Sequence, residues 1–371
     1  MGTIDRDVPD FMDAVVNFAP KDFRFSREME TPKKPEHGIV VKVTGCGICA
    51  SDVKCYEGAG RYWGDSVNEK WVQAPIIPGH EFVGEVAEIS EKDSDRLGLC
   101  IGDQVTSEQI VACYKCLYCK KGKRWLCQEH DIYGFRKAVP GAFAQYMVFP
   151  ENSRSYKIKK SVEPKHAAYT EPLACAIHGV SRGRVEMGDT VVVSGSGAIG
   201  LGMITALKAE KRASRIIALD CSDERLEIAR KCGADILLNP LKENVVDSVK
   251  NICGGYGCDV YLEAAGNPAS VIQGIQMTMK GGRFVEFGVF KDKTELDWSL
   301  IGDTKELEIL GGHLGGDDGY QKAISWLESG LIPVEQIVTD EISLRDFRQG
   351  VDVADKGSHG EANSIKVVLT P

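Results

Sequence analysis

The sequence has no long apolar run and no excess of basic residues, and both absences exclude whole classes of function. No stretch approaches the roughly 18 consecutive apolar residues that a membrane-spanning helix needs. The acidic opening, MGTIDRDVPDFMD, lacks the apolar core of a secretion signal, so we expect a cytoplasmic protein. The 45 Lys and Arg residues are outnumbered by 54 Asp and Glu residues, giving a net charge of −9. This charge disfavours nucleic acid and anionic membranes as partners.

Cysteine, in contrast, is abundant. The 371 residues include 13 cysteines, an odd number, and four of them lie in one short segment. In a chain without an export signal, this pattern favours metal binding and buried thiols over a disulfide framework. The hydrophobic fraction of 43% and the charged fraction of 27% are typical of a soluble protein, and the length suffices for two or three domains.

Two kinds of hydrophobic pattern divide the chain near residue 173. Before it, β-branched runs bounded by turn residues predict strands at 37–45, 82–90 and 144–150. After it, short apolar strands alternate with helix-like stretches, a pattern that predicts an α/β fold with a doubly wound parallel sheet. The strands of this second kind are predicted at 190–195, 215–220, 235–239, 259–266, 283–288 and 307–312, and a last strand follows at 364–371.

A glycine loop follows the first strand of the predicted parallel sheet. The sequence GSGAIG, residues 195–200, is G-x-G-x-x-G between a strand and a helix. Glycines there let backbone amides approach a pyrophosphate at the helix N-terminus, so we predict that Gly195, Gly197, Ile199 and Gly200 bind a dinucleotide. Asp220 closes the next strand, where a carboxylate binds the adenosine ribose and repels a 2′-phosphate. We therefore predict NAD; the alternative is a glycine turn in an unrelated α/β protein.

The short cysteine-rich segment CYKCLYCKKGKRWLC predicts a structural metal site. Four thiolates at this spacing can close a tetrahedron around Zn²⁺ and leave no open position. The predicted ligands, in a lobe at about 108–130, are Cys113, Cys116, Cys119 and Cys127. A zinc ribbon that binds nucleic acid is the alternative, which the acidic chain disfavours.

A second set of candidate ligands is dispersed. The octapeptide GCGICASD holds Cys46 and Cys49, GHE holds His80 and Glu81, and EPLAC begins at Glu171. One cysteine, one histidine and a carboxylate suit a catalytic zinc that keeps a position open. From the residues alone, C-x-x-C could be a redox couple, half of a zinc site or one working thiolate with a bystander, and His80 could be a structural residue.

Together, GICASD, GHE, the cysteine lobe, EPLA, the glycine loop and SIKVVLTP resemble the zinc-dependent medium-chain family of alcohol and polyol dehydrogenases. The resemblance covers nearly the whole chain. It implies a β-rich GroES-like catalytic domain at 1–172, a central Rossmann domain at 173–312 and a return to the catalytic domain at 313–371, with the active site in the cleft. It also implies two zinc ions per chain, NAD, and a homodimer or homotetramer.

The resemblance also assigns roles to the residues around the C-x-x-C pair. In the family, Ser or Thr and then Asp follow the zinc cysteine at its second and third positions. Only Cys49 satisfies this, with Ser51 and Asp52, so Cys46 is expected to be a small buried residue. Ser51 would take the proton from the alcohol, and Asp52 would orient the ligand His80 through its other ring nitrogen.

Glutamate at the EPLA motif is typical of the sorbitol-like and threonine-like branch of the family. Glu81 and Glu171 therefore compete as third zinc ligand or alternate during turnover. The same matching places Arg225 on the adenosine side of the cofactor and Lys366 near its pyrophosphate. One departure is Lys54, which stands where many members have a histidine that extends the proton relay.

The substrate is predicted to be a small polyol. Simple alcohol dehydrogenases tend to have a bulky apolar residue where this chain has Gln109, preceded by Glu108. This polar pair could bind extra hydroxyls; the alternative is that both residues face solvent. The long segment 56–74 adds further aromatic and charged side chains, Arg61, Tyr62, Trp63 and Asp65, which suit a polyol, although the segment could instead make a subunit contact.

Overall likeness suggests a four-carbon sugar alcohol, threitol or erythritol, which would be oxidised to erythrulose. The alternatives within the family are a simple secondary alcohol dehydrogenase and an L-threonine-type dehydrogenase. A non-catalytic protein that binds zinc and a nucleotide is the alternative from a different class.

Overall fold

The structure, a computed structural model, describes residues 8–290, 293–361 and 363–371. Its backbone forms two compact units. Unit 1 contains the chain up to Glu171 together with Gly316–Gly330 and Val338–Pro371, and unit 2 contains Pro172–Gly315 and Leu331–Ile337. Residues 1–7 of the predicted first domain lie outside the described residues. The segment Leu331–Ile337, predicted to return to the catalytic domain, is instead part of unit 2.

The strands follow the predicted hydrophobic runs closely and add several short ones. In chain order they are Phe11–Ala19 (β1), Asp22–Glu30 (β2), Gly38–Gly47 (β3), Glu81–Ile89 (β4), Gln104–Ser107 (β5), Ile110–Val111 (β6), Asp131–Ile132 (β7), Tyr146–Pro150 (β8), Ser155–Lys157 (β9), Thr190–Ser194 (β10), Arg215–Leu219 (β11), Ile236–Leu238 (β12), Cys258–Glu263 (β13), Thr278–Glu286 (β14), Glu308–Gly311 (β15), Val338–Ser343 (β16) and Lys366–Thr370 (β17).

The longer helices lie after residue 169, and the helices before it are short. In chain order the helices are Ala50–Tyr56 (α1), Gly60–Trp63 (α2), Glu91–Leu97 (α3), Leu117–Lys120 (α4), Pro164–Ala167 (α5), Thr170–Gly183 (α6), Ala198–Glu210 (α7), Asp223–Cys232 (α8), Val245–Ile252 (α9), Pro268–Met277 (α10), Gly319–Glu328 (α11), Val334–Ile337 (α12) and Phe347–Ser358 (α13). Three 3₁₀ turns occur at Arg124–Leu126, Trp298–Leu300 and Leu344–Asp346.

Unit 1 is built on a seven-stranded sheet. Its strands run in the order β16-β17-β3-β4-β5-β9, and β8 also pairs with β3. The end of β3 lies between two partners: Gly47 is opposite Glu81 at the start of β4 and opposite Val368 in β17. Because β17 comes from the end of the chain, this pairing brings SIKVVLTP beside GCGICASD and GHE.

Unit 2 contains a six-stranded parallel sheet in the order β12-β11-β10-β13-β14-β15. The order reverses direction around β10, as in a doubly wound Rossmann sheet, in which ligands bind outside the carboxyl ends of the strands. A core of buried residues such as Val192, Ile217 and Tyr261 covers one face of the sheet. The predicted α/β fold, a Rossmann sheet plus a β-rich domain, is therefore confirmed. Within the described residues, no helix has the length and apolarity needed to span a bilayer.

Candidate functional site

The four cysteines of the lobe converge on one point. The sulfur atoms of Cys113, Cys116, Cys119 and Cys127 all lie within 4.8 Å of one another. Backbone N–H groups of Cys119 and Gln128 donate to the Cys116 sulfur and lower the pKa of this thiol to about 6. Burial raises the pKa of Cys119 to about 12 and also raises that of Cys127. The convergence of the four sulfur atoms is therefore what fits a closed tetrahedral Zn²⁺ site.

A second group of ligand atoms forms where β3 ends and β4 begins. One ligand atom from each of Cys49, His80 and Glu81 lies within 4.8 Å of the others, and we call this group the mixed cluster. Cys49 occupies the N-cap position of α1, where its backbone N–H donates to Asp52 Oδ2 at 3.0 Å. Cys46 lies inside β3, is completely buried, and belongs to neither group of ligand atoms.

The His80 ring lies between the side chains of Ser51 and Asp52. Its Nε2 is 3.5 Å from Ser51 Oγ, and its Nδ1 is 3.6 Å from Asp52 Oδ1. Burial lowers the pKa of His80, but the Asp52 carboxylate outweighs this effect and the net shift is well above the ordinary value. Nδ1 and Oδ1 are both buried without a hydrogen-bond partner among the described residues. A cation at Nε2 would place the proton on Nδ1, facing Asp52, because a metal-binding imidazole commonly donates its other N–H to a carboxylate.

Lys366 neutralises Glu81. Its Nζ lies 2.8 and 2.7 Å from the two carboxylate oxygens of Glu81, and it also donates to the carbonyl oxygen of Ile48 at 3.0 Å. Burial lowers the pKa of Lys366, but Glu81 and, more weakly, Glu171 raise it above the ordinary value. The predicted contact of Lys366 with the cofactor pyrophosphate stays a prediction; within unit 1 its ammonium group is engaged with Glu81.

Glu171 and Gln109 form a separate pair. Gln109 Nε2 donates to Glu171 Oε1, and the Tyr320 hydroxyl donates to Gln109 Oε1 at 2.7 Å. Among the described residues Glu171 is not a member of the mixed cluster. Gln109 is 1% exposed, so the alternative that it faces solvent is wrong. Its amide binds Glu171 and Tyr320, and the predicted contact with extra hydroxyls of a substrate stays a prediction.

Glu108 is also buried and also has protein partners, and its predicted contact with the substrate stays a prediction. It is 4% exposed, accepts a hydrogen bond from the Tyr156 hydroxyl at 2.9 Å and lies 3.0 Å from Arg154. Arg124, which lies in the cysteine lobe, is 3.8 Å away. Burial raises the pKa of Glu108, although Arg154 acts in the opposite direction. Sequence reasoning missed these contacts because the partners are separated along the chain.

The segment 56–74 contributes an aromatic layer beside His80. Tyr62, which is 4% exposed, stacks on Phe135 with ring centroids 5.5 Å apart, and Trp71 stacks on Phe135 at 5.0 Å. Phe135 in turn lies 5.5 Å from the His80 ring. Of the other side chains predicted to suit a polyol, Asp65 accepts hydrogen bonds from within the segment itself. Phe135, which lies outside the segment, thus connects Tyr62 and Trp71 to the His80 ring.

The glycine loop in unit 2 has the geometry that the sequence predicts. Gly195 adopts a φ of +95°, and a side chain at Gly200 would overlap the carbonyl oxygen of Gly195. Gly197 caps the N-terminus of α7, and Ile199 lies in its first turn, half-buried. The backbone amides of Gly197 and Ile199 at this helix N-terminus are therefore placed where a phosphate can bind.

Asp220 lies beside the glycine loop, at the end of β11. Its Oδ2 accepts the backbone N–H of Ser196 at 2.7 Å, and its Oδ1 accepts that of Ser222 at 2.8 Å. Each carboxylate oxygen retains a lone pair for a further hydrogen bond. Arg225, predicted on the adenosine side, is 8% exposed in the first turn of α8.

The chain is similar to dehydrogenases along its whole length. Residues 35–160 match the alcohol dehydrogenase GroES-like domain, and residues 198–329 match the zinc-binding dehydrogenase family. The erythritol/L-threitol dehydrogenase of Mycolicibacterium smegmatis is 44% identical over 98% of this chain and 99% of that protein. The L-threonine 3-dehydrogenase of Bacillus velezensis is 32% identical over 93% of this chain and 94% of that protein.

A solved structure shares the same overall fold. A protein from Sinorhizobium meliloti 1021 described as a zinc-binding dehydrogenase, bound to NADP, superposes with a TM-score of 0.84 at 26% identity. The match covers 98% of this chain and 100% of that chain. The resemblance inferred from the sequence motifs is confirmed, and the chain belongs to the zinc-binding, medium-chain family of alcohol and polyol dehydrogenases.

Proposed function

We propose that the protein oxidises one hydroxyl of a small sugar alcohol to a ketone by hydride transfer to NAD. The observation that carries this proposal is the mixed cluster of a cysteine sulfur, an imidazole and a carboxyl group, with the Ser51 hydroxyl beside it. The similarity to an erythritol/L-threitol dehydrogenase over nearly the whole chain supports a four-carbon polyol. Threitol or erythritol would then yield erythrulose.

The mixed cluster fits a catalytic zinc ion. Cys49, His80 and Glu81 supply sulfur, nitrogen and oxygen donors, which is a set that leaves one of four positions open. The unpartnered Nδ1 of His80, facing Asp52, fits an imidazole that binds a cation through its other nitrogen. When bound, Zn²⁺ lowers the pKa of the substrate hydroxyl as a Lewis acid, and the nicotinamide accepts the hydride.

Ser51 is the proposed proton acceptor. As the carbon–oxygen single bond becomes a double bond, the hydroxyl proton passes to Ser51 Oγ and the carbinol hydrogen leaves with its electron pair. Ser51 releases its own proton toward solvent and is therefore unchanged after turnover. Asp52 acts through His80, whose ring it orients. The second zinc, held by the four cysteines of the lobe, would be structural because no position remains for substrate.

The preference for NAD rests on Asp220. Its carboxylate lies next to the glycine loop, where an adenosine ribose would be bound, and its charge would repel a 2′-phosphate. Assembly as a homodimer or homotetramer stays a prediction, which light scattering on the purified protein would test. Localisation in the cytoplasm also stays a prediction.

L-Threonine is the second candidate substrate, favoured by the similarity to an L-threonine 3-dehydrogenase. Initial rates of NADH formation with threitol, erythritol, sorbitol, 2,3-butanediol, butan-1-ol and L-threonine separate the candidates. A site built to bind extra hydroxyls should reject butan-1-ol by about 10⁴-fold in kcat/KM. Equal turnover of butan-1-ol would overturn the polyol proposal, and no turnover of any alcohol would leave a non-catalytic zinc- and nucleotide-binding protein.

A further inference from the structure

The amide of Gln109 connects two residues that lie far apart in the sequence. Its Nε2 donates to Glu171 Oε1, and its Oε1 accepts the Tyr320 hydroxyl at 2.7 Å. The backbone N–H of Gln109 also donates to the Tyr320 oxygen, at 2.9 Å. All three residues are at least 95% buried: Gln109 is 1%, Tyr320 2% and Glu171 5% exposed. A hydrogen bond to a charged group in such surroundings is among the stronger ones in proteins.

The orientation of this amide is fixed from the tyrosine side. The Tyr320 hydroxyl donates to the amide oxygen, so the NH₂ end of Gln109 must point toward Glu171. The ring of Tyr320 stacks on Tyr156 with centroids 5.5 Å apart and planes 10° apart. Tyr156 donates in turn to the buried Glu108. A flipped amide would turn its oxygen toward the Glu171 carboxylate, which is unfavourable.

The two carboxylates that compete as zinc ligands are therefore restrained differently. Glu81 is bound by the ammonium group of Lys366 and belongs to the mixed cluster. Glu171 is bound by a neutral amide and, among the described residues, lies outside the cluster. Glu171 lies close enough to Lys366, the ion-pair partner of Glu81, to raise the pKa of that lysine. Carboxylate oxygens are ligands of Zn²⁺, so a Glu171 carboxylate released from the amide would be an additional ligand for a cation in the mixed cluster.

We propose that Gln109 is a positioning residue that, with Tyr320, holds the Glu171 carboxylate out of the mixed cluster. The zinc of the proposed function then keeps one coordination position open for the substrate hydroxyl. This inference rests on the proposed function, because it presupposes that the mixed cluster binds zinc. It assigns to Gln109 a contact with Glu171 in place of a contact with the substrate.

The test is Gln109→Leu, which removes both amide groups and keeps most of the side-chain volume. With Co²⁺ substituted for the catalytic zinc, visible absorption reports coordination, because four-coordinate Co²⁺ absorbs more strongly than five- or six-coordinate Co²⁺. We expect the band to weaken as Glu171 enters the coordination sphere. We also expect kcat/KM for the polyol to fall by about 10–100-fold, mostly through KM.

Two further variants separate positioning from a general loss of structure. Gln109→Leu combined with Glu171→Gln should restore the strong cobalt band, because a neutral amide is a poor ligand. Tyr320→Phe keeps the ring that stacks on Tyr156 but removes the hydroxyl. It should weaken the cobalt band as Gln109→Leu does. It replaces Gln109→Leu if that variant fails to fold.

Gln104→Leu is the matched control. Gln104 is a buried glutamine of unit 1 whose amide donates to the backbone oxygens of Lys159 and Val162. Its replacement should leave the cobalt spectrum unchanged. An unchanged spectrum in Gln109→Leu, or an altered one in Gln104→Leu, would overturn the inference while the proposed function stands. A wild-type chain whose metal content is the same as that of Cys49→Ser, and which therefore binds no metal at the mixed cluster, would overturn both.

Discussion

Lys366→Met should reveal how strongly the buried ion pair supports unit 1. The side chains of Lys366 and Glu81 are 6% and 2% exposed, and the ammonium group contacts both carboxylate oxygens. Removing the cation leaves a buried carboxylate without its charge partner, which costs about 3–5 kcal/mol. We expect this loss in the metal-free protein. With zinc bound, the metal's charge compensates Glu81, so the loss should be smaller.

The assay is urea unfolding followed by tryptophan fluorescence. Trp298 lies in unit 2 and the other four tryptophans lie in unit 1, so the signal reports mainly on the unit that is perturbed. Lys160→Met is the control, because Lys160 forms an exposed pair with Glu85, and such pairs contribute only about 0–1 kcal/mol. A loss below about 1 kcal/mol in metal-free Lys366→Met would refute the reasoning.

The pH dependence of this pair follows from the direction of the lysine shift. The folded state raises the pKa of Lys366 above its ordinary value of 10.5, because Glu81 outweighs burial. A raised lysine pKa contributes stability that is fully present below 10.5 and is lost as pH rises through the folded-state value. The difference between wild type and Lys366→Met should therefore be constant from neutral pH to about pH 10 and shrink only above it.

Two further predictions concern the thiolate and the cofactor. Cys49→Ser should lose one of two zinc ions per chain and nearly all activity, whereas Cys46→Ser should retain both ions. Native mass spectrometry counts the zinc ions bound to each variant. Loss of zinc in Cys46→Ser would contradict the assignment of Cys49 as the ligand. Asp220→Ala should let NADP compete with NAD, because the carboxylate that repels the 2′-phosphate is gone; a wild-type enzyme that already prefers NADP in steady-state kinetics would exclude this reading.

The fold was predictable because its signals are local. Each strand of the parallel sheet is a short apolar run, and the glycine loop lies between a strand and a helix. The cysteine lobe is local in the same sense, since its four cysteines lie in one short segment and their sulfur atoms converge. The choice between Cys46 and Cys49 also has a local cause: Cys46 lies inside β3, whereas Cys49 caps the helix that follows.

The partners of Gln109 were not predictable, since they depend on how distant segments meet. Tyr320 comes from α11, and the pair is separated by 211 residues. From the sequence alone, a polar residue at position 109 is therefore as compatible with burial as with exposure. The packing of α11 in unit 1 brings Tyr320 to the Gln109 amide, which also binds Glu171.

The ion pair between Lys366 and Glu81 shows how three strands turn distant motifs into one site. Gly47 in β3 is opposite Glu81 on one side and Val368 on the other. Lys366 lies two residues before Val368, so the two side chains extend from the same face of β17. A side chain at Gly47 would overlap Glu81 Oε2. The absence of a side chain at Gly47 thus lets the Glu81 carboxylate lie across β3 and reach Lys366, which explains in physical terms why a glycine stands at position 47.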